Sequence, residues 1–146
     1  MYQVQLASNQ NDINQIIDLR YAVLREPWNK AKETATDQLE SISVNAFIEE
    51  NKKVIACGRL QNNGNKLGQI RYMAVHPNYQ QRGLGSLIIK RLEEEAKELN
   101  FLTIELQARE NAVEFYKSQG YQIQEKSFNL WDIIQHYLMV KTLHSI

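Results

Sequence analysis

A glycine-rich turn in the middle of the chain contains residues that could bind phosphate. It reads Gln-Gln-Arg-Gly-Leu-Gly-Ser over 80–86 and leads directly into a run with helical periodicity. The first backbone N–H groups of a helix have no partner within it, and the helix dipole places positive charge behind them. Gly83 and Gly85 would let a pyrophosphate approach the backbone closely, and Arg82 would add a cation. The sequence therefore predicts a phosphate-binding nest, with an ordinary strand-to-helix turn as the plain alternative.

Two common phosphate-binding motifs do not fit this turn. A dinucleotide-binding GxGxxG fingerprint needs a third glycine at position 88, where the chain has Ile88. A Walker loop needs Gly-Lys followed by Ser or Thr, and that dipeptide is absent. A Rossmann-like nucleotide enzyme is therefore poorly supported.

Two further segments carry a resemblance to a known family. Residues 69–77 read Gln-Ile-Arg-Tyr-Met-Ala-Val-His-Pro and lead into the glycine-rich turn. Residues 111–121 read Asn-Ala-Val-Glu-Phe-Tyr-Lys-Ser-Gln-Gly-Tyr, after one predicted helix and one predicted strand. In type, order and spacing they resemble the two hallmark motifs of the GNAT (general N-acetyltransferase) superfamily. The resemblance is close over about 40–145 and loose over the N-terminal third.

The resemblance implies that acetyl-CoA binds as co-substrate, without a metal, between two splayed parallel strands. The backbone of Met73, Ala74 and Val75 would pair with the pantetheine arm as an added strand would. Asn111 would hydrogen-bond this arm near the thioester. The remaining candidates would hold the pyrophosphate through their backbone amides: Gln81, Arg82, Gly83, Leu84, Gly85 and Ser86.

The same resemblance implies direct acyl transfer, in which a neutral amine attacks the thioester. The backbone around 73–75 is the candidate donor to the developing oxyanion. Tyr116 would lie at the thioester end of the cofactor site and protonate the departing thiolate as general acid. The alternative for Tyr116 is an apolar packing role beside Phe115.

The sequence leaves the general base open. Some family members carry a glutamate at the position of Gln69, and glutamine cannot accept a proton at neutral pH. His136 in the last predicted strand is one candidate, because an imidazole pKa of about 6.5 suits the task. A chain of water molecules is another, and His136 has the alternative interpretation of a surface residue on an edge strand. His76 precedes a proline and is interpreted as structural.

Apolar periodicity predicts the elements that would position these groups. A first helix would be capped by Ser8 or Asn9, a second would span 83–99, and a third would end at Gly120. The predicted strands are 2–6, 43–50, 53–61, 66–75, 101–106, 121–130 and 134–143. The expected fold is the α/β GNAT fold in one domain, 1–146. Its sheet would be mixed and mostly antiparallel, with six or seven strands, helices on both faces and a splayed central pair.

Composition narrows the class of protein. The chain has 146 residues, of which 43% are hydrophobic and 23% charged, so it is not intrinsically disordered. Cys57 is the single cysteine, which excludes an internal disulfide. Seventeen basic and seventeen acidic residues argue against a nucleic-acid binder, and no apolar run could span a membrane. A soluble cytoplasmic protein is expected, and the family resemblance admits a homodimer.

Charge is distributed unevenly along the chain. No acidic residue lies between Glu50 and Glu93, whereas eight lysines and arginines do. They could form a local positive field for a small polyanion, or they could be unrelated solvated cations.

The sequence thus predicts an acyl-CoA-dependent N-acyltransferase that transfers acetyl to an amine. The alternative is a degenerate acyl-CoA-binding sensor, which Gln69 supports. The segment 20–42 mixes both signs of charge and favours no single acceptor.

Overall fold

Seven strands form one sheet in the computed structural model, which describes residues 2–143. They are β1 (Gln5–Leu6), β2 (Val44–Glu50), β3 (Lys53–Asn62), β4 (Leu67–Val75), β5 (Thr103–Arg109), β6 (Gln122–Leu130) and β7 (Ile134–Thr142). Their order is β1-β2-β3-β4-β5-β7-β6, with β4 and β5 parallel and the other neighbours antiparallel. The predicted mixed, mostly antiparallel sheet is confirmed.

The parallel pair separates part-way along its length. Strands β4 and β5 pair from Leu67 opposite Thr103 to Ile70 opposite Leu106. Beyond that point β4 continues to Val75 and β5 to Arg109 without pairing to each other. The predicted splay is therefore present, and it leaves backbone groups of both strands facing a gap.

Helices cover both faces of the sheet. Helix α1 (Gln10–Arg20) packs on one face against β3 and β4, and α2 (Leu84–Glu98) packs on the other against β2, β3 and β4. Helix α3 (Val113–Ser118) buries Val113 and Tyr116 in the same core as α2. Asn9 caps α1, because its side chain accepts a hydrogen bond from the Asp12 N–H at 2.8 Å. No helix within residues 2–143 is both long and apolar enough to cross a membrane.

The strand predicted at 101–106 begins two residues later than expected. Asn100, with φ of 63°, ends α2 in the left-handed conformation, and the N–H of Phe101 donates to the carbonyl of Ala96 at 2.9 Å. Phe101 then packs under β4, where a Cβ at Gly68 would lie 2.7 Å from its ring. The cap of the preceding helix therefore uses residues that the apolar pattern assigned to the strand.

The segment after α1 stays tightly wound. A π-helical turn covers Tyr21–Arg25, and 3₁₀ turns follow at Glu26–Trp28, Lys32–Ala35 and Glu40–Ile42. The proline at 27 lies in the first 3₁₀ turn and does not end α1. These turns lie on the α1 face and bring Asp37 and Glu40 to arginines of the sheet and of α1.

Candidate active site

The gap between β4 and β5 opens into two cavities that share a wall. The inner cavity, of about 290 Å³, is lined by Leu24, Arg25, 69–73, Leu106, Gln107, Arg109, Ala112, Tyr116, Phe128, Leu130 and His136. The groove, of about 750 Å³, is lined by Val23, 73–75, 79–81, 83–86, Asn111, Ala112, Phe115 and Tyr116. Met73, Ala112 and Tyr116 line both cavities. Molecules bound in the two cavities would meet at these three residues.

The groove gathers most of the residues that the sequence predicts for cofactor binding. Its β4 wall is 73–75, which lies beyond the last residue paired with β5. Asn111, in the 3₁₀ turn Glu110–Ala112, and Tyr116 of α3 line it as well. The glycine-rich turn contributes Gln81, Gly83, Leu84, Gly85 and Ser86.

Arg82 is the exception among these predicted residues. Its Nη1 donates to the hydroxyl of Tyr2 at 2.9 Å, and its guanidinium lies over the ring of Tyr79 at 5.0 Å. Arg82 does not line the groove, and neither does any other Lys or Arg. Any phosphate bound there would therefore be held by neutral donors, backbone N–H groups among them.

The start of α2 has the geometry that backbone anion binding requires. Gly83 is its N-cap with φ of +78°, a conformation that glycine adopts without steric cost. No side chain caps the helix, so its first N–H groups have no side-chain acceptor. Gly85 has a packing role, because a Cβ there would lie 3.0 Å from Cζ of Phe115.

Tyr116 presents a free hydroxyl where the two cavities meet. Its ring packs edge-on against Phe115 and Tyr121, at centroid distances of 5.0 and 6.2 Å, and the residue is 8% exposed. Within residues 2–143 the hydroxyl has no hydrogen-bond partner. It is not cut off from solvent, because the described side-chain atoms that are both fully buried and without a partner are Nε of Arg20 and Nε of Arg59. Burial raises the pKa of Tyr116 well above its ordinary value, so the hydroxyl keeps its proton.

His136 is buried on the wall of the inner cavity, at 6% exposure. Its Nδ1 lies 3.0 Å from the carbonyl oxygen of Ile134, and its ring stacks on Phe128 at 4.4 Å. Because a carbonyl can only accept, Nδ1 carries the proton and Nε2 keeps its lone pair. Burial lowers the pKa of His136, and the nearby cations Arg109 and Arg25 lower it further. Strand β7 lies between β5 and β6, so the edge-strand surface interpretation is wrong.

Gln69 lines the same cavity but has its carbonyl oxygen occupied. Oε1 accepts from Nδ2 of Asn63 at 2.9 Å and from Nε2 of Gln61 at 3.3 Å. Asn63 also donates to Glu105 at 3.0 Å. Gln69 is thus part of a chain of side-chain amides and offers no proton acceptor.

Strand β4 contains a β-bulge at Tyr72, which the apolar periodicity does not predict. Cys57 pairs with Ala74 and Arg59 with Arg71, so two residues of β4 lie opposite Gly58. Tyr72 has φ of 57°, an uncommon conformation for an aromatic residue. Its ring faces Arg71, whose guanidinium carbon lies 4.5 Å from the ring centroid. Gly58 is the one sequence signal, because a Cβ there would lie 2.5 Å from Sδ of Met73.

Two acids from the N-terminal third form ion pairs with three arginines beside the bulge. Glu40 pairs with Arg20, while Asp37 pairs with Arg59 at 2.9 Å and with Arg71 at 3.2 Å. The hydrogen bond from Arg59 is the main reason why the pKa of Asp37 is lowered. Arg59 and Arg71, which belong to the acid-free segment, are therefore each paired with an acid.

A family model settles the relationship that the motifs suggested. The model of the GNAT acetyltransferase family matches residues 13–121, which include both motifs and the turns after α1. The chain belongs to the GNAT acetyltransferase family. GNAT enzymes use acyl-CoA, so the groove is the part of this GNAT domain to test for CoA.

Relatives agree with this membership. An uncharacterized N-acetyltransferase of Bacillus subtilis, YjcF, is 26% identical over 136 residues, which cover 93% of this chain and 96% of the relative. A proposed N-acetyltransferase from Lactobacillus plantarum superposes with a TM-score of 0.87 at 19% identity, over 98% and 99% of the two chains. A Bacillus subtilis acetyltransferase in complex with CoA superposes with a TM-score of 0.79 at 17% identity, over 99% and 100%. The two structures share the GNAT fold with this chain.

Proposed function

We propose that this GNAT domain, spanning 1–146, is an acyl-CoA-dependent N-acyltransferase that moves an acetyl group directly to an amine. The observation that carries the proposal is that Tyr116 lines both the groove and the inner cavity and that its hydroxyl has no hydrogen-bond partner within residues 2–143. A proton donor at that point is next to any group that is transferred between molecules bound in the two cavities. Acyl-CoA would occupy the groove and the amine the inner cavity.

The groove suits the two chemically different parts of CoA. The unpaired edge of β4 at 73–75 offers backbone donors and acceptors to the amide-rich pantetheine arm. The uncapped start of α2 offers N–H groups to the pyrophosphate, beside the left-handed Gly83. Asn111 would bind the arm near the thioester.

The reaction would divide its proton transfers between two side chains. As the amine nitrogen bonds to the acyl carbon, Nε2 of His136 would accept the proton that the amine loses. Backbone N–H groups at 73–75 would stabilise the negative charge on the thioester oxygen. As the carbon–sulfur bond breaks, Tyr116 would give its proton to the thiolate and then regain one from solvent. The products are an amide and free CoA thiol.

The alternative is a sensor that binds acyl-CoA without turnover. Its support is Gln69, which cannot act as a base and has its oxygen occupied by Asn63 and Gln61. His136 weighs against the sensor, since it lines the inner cavity and its Nε2 has no hydrogen-bond partner within residues 2–143. The enzyme is therefore the better-supported function.

The test is release of free thiol from acetyl-CoA with a panel of amines, in wild type and in Tyr116→Phe. This variant keeps the packed ring and removes a group that acts only late in the reaction. We therefore expect its melting temperature and CoA affinity to be unchanged, whereas kcat and kcat/KM fall together by roughly 10²–10⁴-fold. A stable Tyr116→Phe protein with wild-type kcat would remove Tyr116 from the mechanism. CoA binding without turnover of any amine would favour the sensor.

A further inference from the structure

Two arginines face the inner cavity without a carboxylate partner. Arg25, at 9% exposure, donates through Nε to the carbonyl of Thr34 at 3.1 Å and through Nη1 to that of Leu24 at 3.2 Å. Arg109, which is half-buried, donates through Nη2 to the same Leu24 carbonyl at 3.2 Å. Within residues 2–143, every hydrogen bond of these two guanidiniums ends on a backbone carbonyl, and neither forms an ion pair.

The shared carbonyl holds the two guanidiniums side by side. Their remaining N–H groups are accessible to solvent. Within residues 2–143, the side-chain nitrogen and oxygen atoms that are fully buried without a hydrogen-bond partner belong to Arg20 and Arg59 only. Arg25 and Arg109 both line the inner cavity, whose wall includes no Asp or Glu. The free N–H groups of both residues are therefore available to a molecule in that cavity.

The contrast with the neighbouring arginines makes this arrangement informative. Arg20, Arg59 and Arg71 each pair with Asp37 or Glu40. Burial lowers the pKa values of Arg25 and Arg109. The charge of Arg25 lowers the pKa of Arg109 further, whereas Tyr72 raises the pKa of Arg25 and the charges of Arg71 and Arg20 lower it. Two like charges in a partly dry site are unfavourable unless an anion binds between them. Guanidinium groups bind carboxylates with paired, directional hydrogen bonds.

We propose that the acceptor is a small amine that also carries a carboxylate, that is, an amino acid, with the carboxylate held by Arg25 and Arg109. This inference rests on the proposed function for the identity of the cavity as the acceptor site. The same cavity is lined by Tyr116 and His136, so the amine lies a few bonds from the anchored carboxylate. A volume of about 290 Å³ suits a group of the size of an amino acid. Polyamines are disfavoured by the two unpaired cations.

The experiment compares each amino acid with its carboxamide, which has nearly the same shape without the charge. Binding to the CoA-loaded protein is measured by calorimetry, and turnover by thiol release. For at least one amino acid we expect the acid to bind, and to react with a kcat/KM, about 10- to 100-fold better than the amide, since hydrogen bonds to buried charges contribute on that scale. Arg109→Gln should abolish the preference and Arg109→Lys should restore part of it. Arg91→Gln, which removes an ion pair with Glu95 on α2, is the matched control and should keep the preference.

The outcomes separate this inference from the proposed function. Carboxamides that bind as well as the acids in wild type, or no binding of any amino acid, would overturn the inference. A preference for 2-aminoethyl phosphate over every amino acid would overturn the carboxylate assignment. If calorimetry shows the acid preference but no amine releases thiol, the carboxylate site stands and the proposed function fails.

Discussion

Burial adjusts the two proposed catalytic side chains in opposite directions. It raises the pKa of Tyr116, which keeps a proton to donate, and lowers that of His136, which stays ready to accept one. The same effect makes Cys57 inert, because burial raises the pKa of its thiol to about 11. The family motif is enough to single out Tyr116 in the sequence. The tautomer of His136, in contrast, is fixed by a hydrogen bond from Nδ1 to the carbonyl of Ile134, and this bond forms only in the folded strand.

The pH dependence of the rate tests the role of His136. We expect His136→Gln to lower kcat/KM by roughly 10² or more at neutral pH. Dividing the wild-type rate by the variant rate at each pH cancels the titration of the amine itself. The ratio should be constant above about pH 6.5 and fall at lower pH, because the lowered pKa of His136 keeps it unprotonated past the ordinary value.

A ratio near one, or one that does not vary with pH, would assign the proton transfer to a chain of water molecules. Thermal unfolding of both proteins at each pH is the control for loss of the folded state. The lowered pKa of His136 also fixes the direction in which the stability of wild type depends on pH. The unfolded chain binds a proton at His136 more readily, so wild type should lose this contribution to stability as the pH falls below about 6.5.

Some side-chain contacts could not be predicted from the sequence. Its position in the glycine-rich turn predicts that Arg82 adds a cation for a phosphate, and the structure adds a bond to the hydroxyl of Tyr2, eighty residues away, that the turn does not indicate. Arg25 and Arg109 were not singled out, since they become neighbours only through the carbonyl of Leu24. Local motifs report backbone geometry well and long-range side-chain partners poorly.

At the scale of elements, most of the sheet and helices followed from periodicity. The predictions from periodicity were wrong where tertiary contacts override the local conformational preference of the chain. Phe101 completes the cap of α2, and Tyr72 adopts a bulge whose cost is offset by its contacts with four arginines. The π-helical turn after α1 likewise has no periodic signature, because its apolar residues continue the helical pattern.

The start of α2 allows a matched pair of glycine variants. Gly83 and Gly64 have φ of +78° and +86°, and nothing lies within 4 Å of an added Cβ at either. Both alanine variants should therefore lose similar, small amounts of stability from backbone strain. Only Gly83→Ala places a methyl group at the groove, so we expect its CoA affinity to fall at least about 10-fold, or 1.4 kcal/mol. Calorimetric titration with CoA measures this directly.

Gly64→Ala, in the turn between β3 and β4, should keep wild-type CoA affinity. Equal affinities in both variants would mean that the phosphates do not contact the backbone at Gly83. A variant at Gly85 would be a poorer test, since its Cβ would press on Phe115 and disturb the fold itself.

At the scale of the whole molecule, the N-terminal third is attached to the sheet by buried charge. Glu40 bonds Arg20 of α1 and Asn45 of β2, and Asp37 bonds Arg59 of β3. This attachment holds the turns after α1 over β4 and so forms one wall of the inner cavity. Asp37 and Glu40 pair there with Arg20, Arg59 and Arg71, and within residues 2–143 neither acid bonds to Arg25 or Arg109. The mixed charge of 20–42, uninformative as a sequence, thus separates in the fold. Asp37 and Glu40 enter an ion-pair network with sheet and helix arginines, and Arg25 has no acidic partner within residues 2–143.

Loss of Glu40 should destabilise the fold far more than loss of an exposed acid. Glu40→Gln would leave the fully buried Arg20 without a counter-charge, and breaking such a pair costs roughly 3–5 kcal/mol, or a fall in Tm on the order of 10 °C. Asp18→Asn, which breaks the exposed pair with Lys32, should leave Tm nearly unchanged.

Burial opposes ionisation of Glu40, but the hydrogen bond and charge of Arg20 outweigh it and lower its pKa. The stabilisation is therefore complete above the unfolded value of about 4.3 and is lost as the pH falls through the lowered pKa, so Tm of wild type should drop in acid more steeply than that of Glu40→Gln. Equal Tm values for Glu40→Gln and Asp18→Asn would show that the network does not hold the N-terminal third to the sheet.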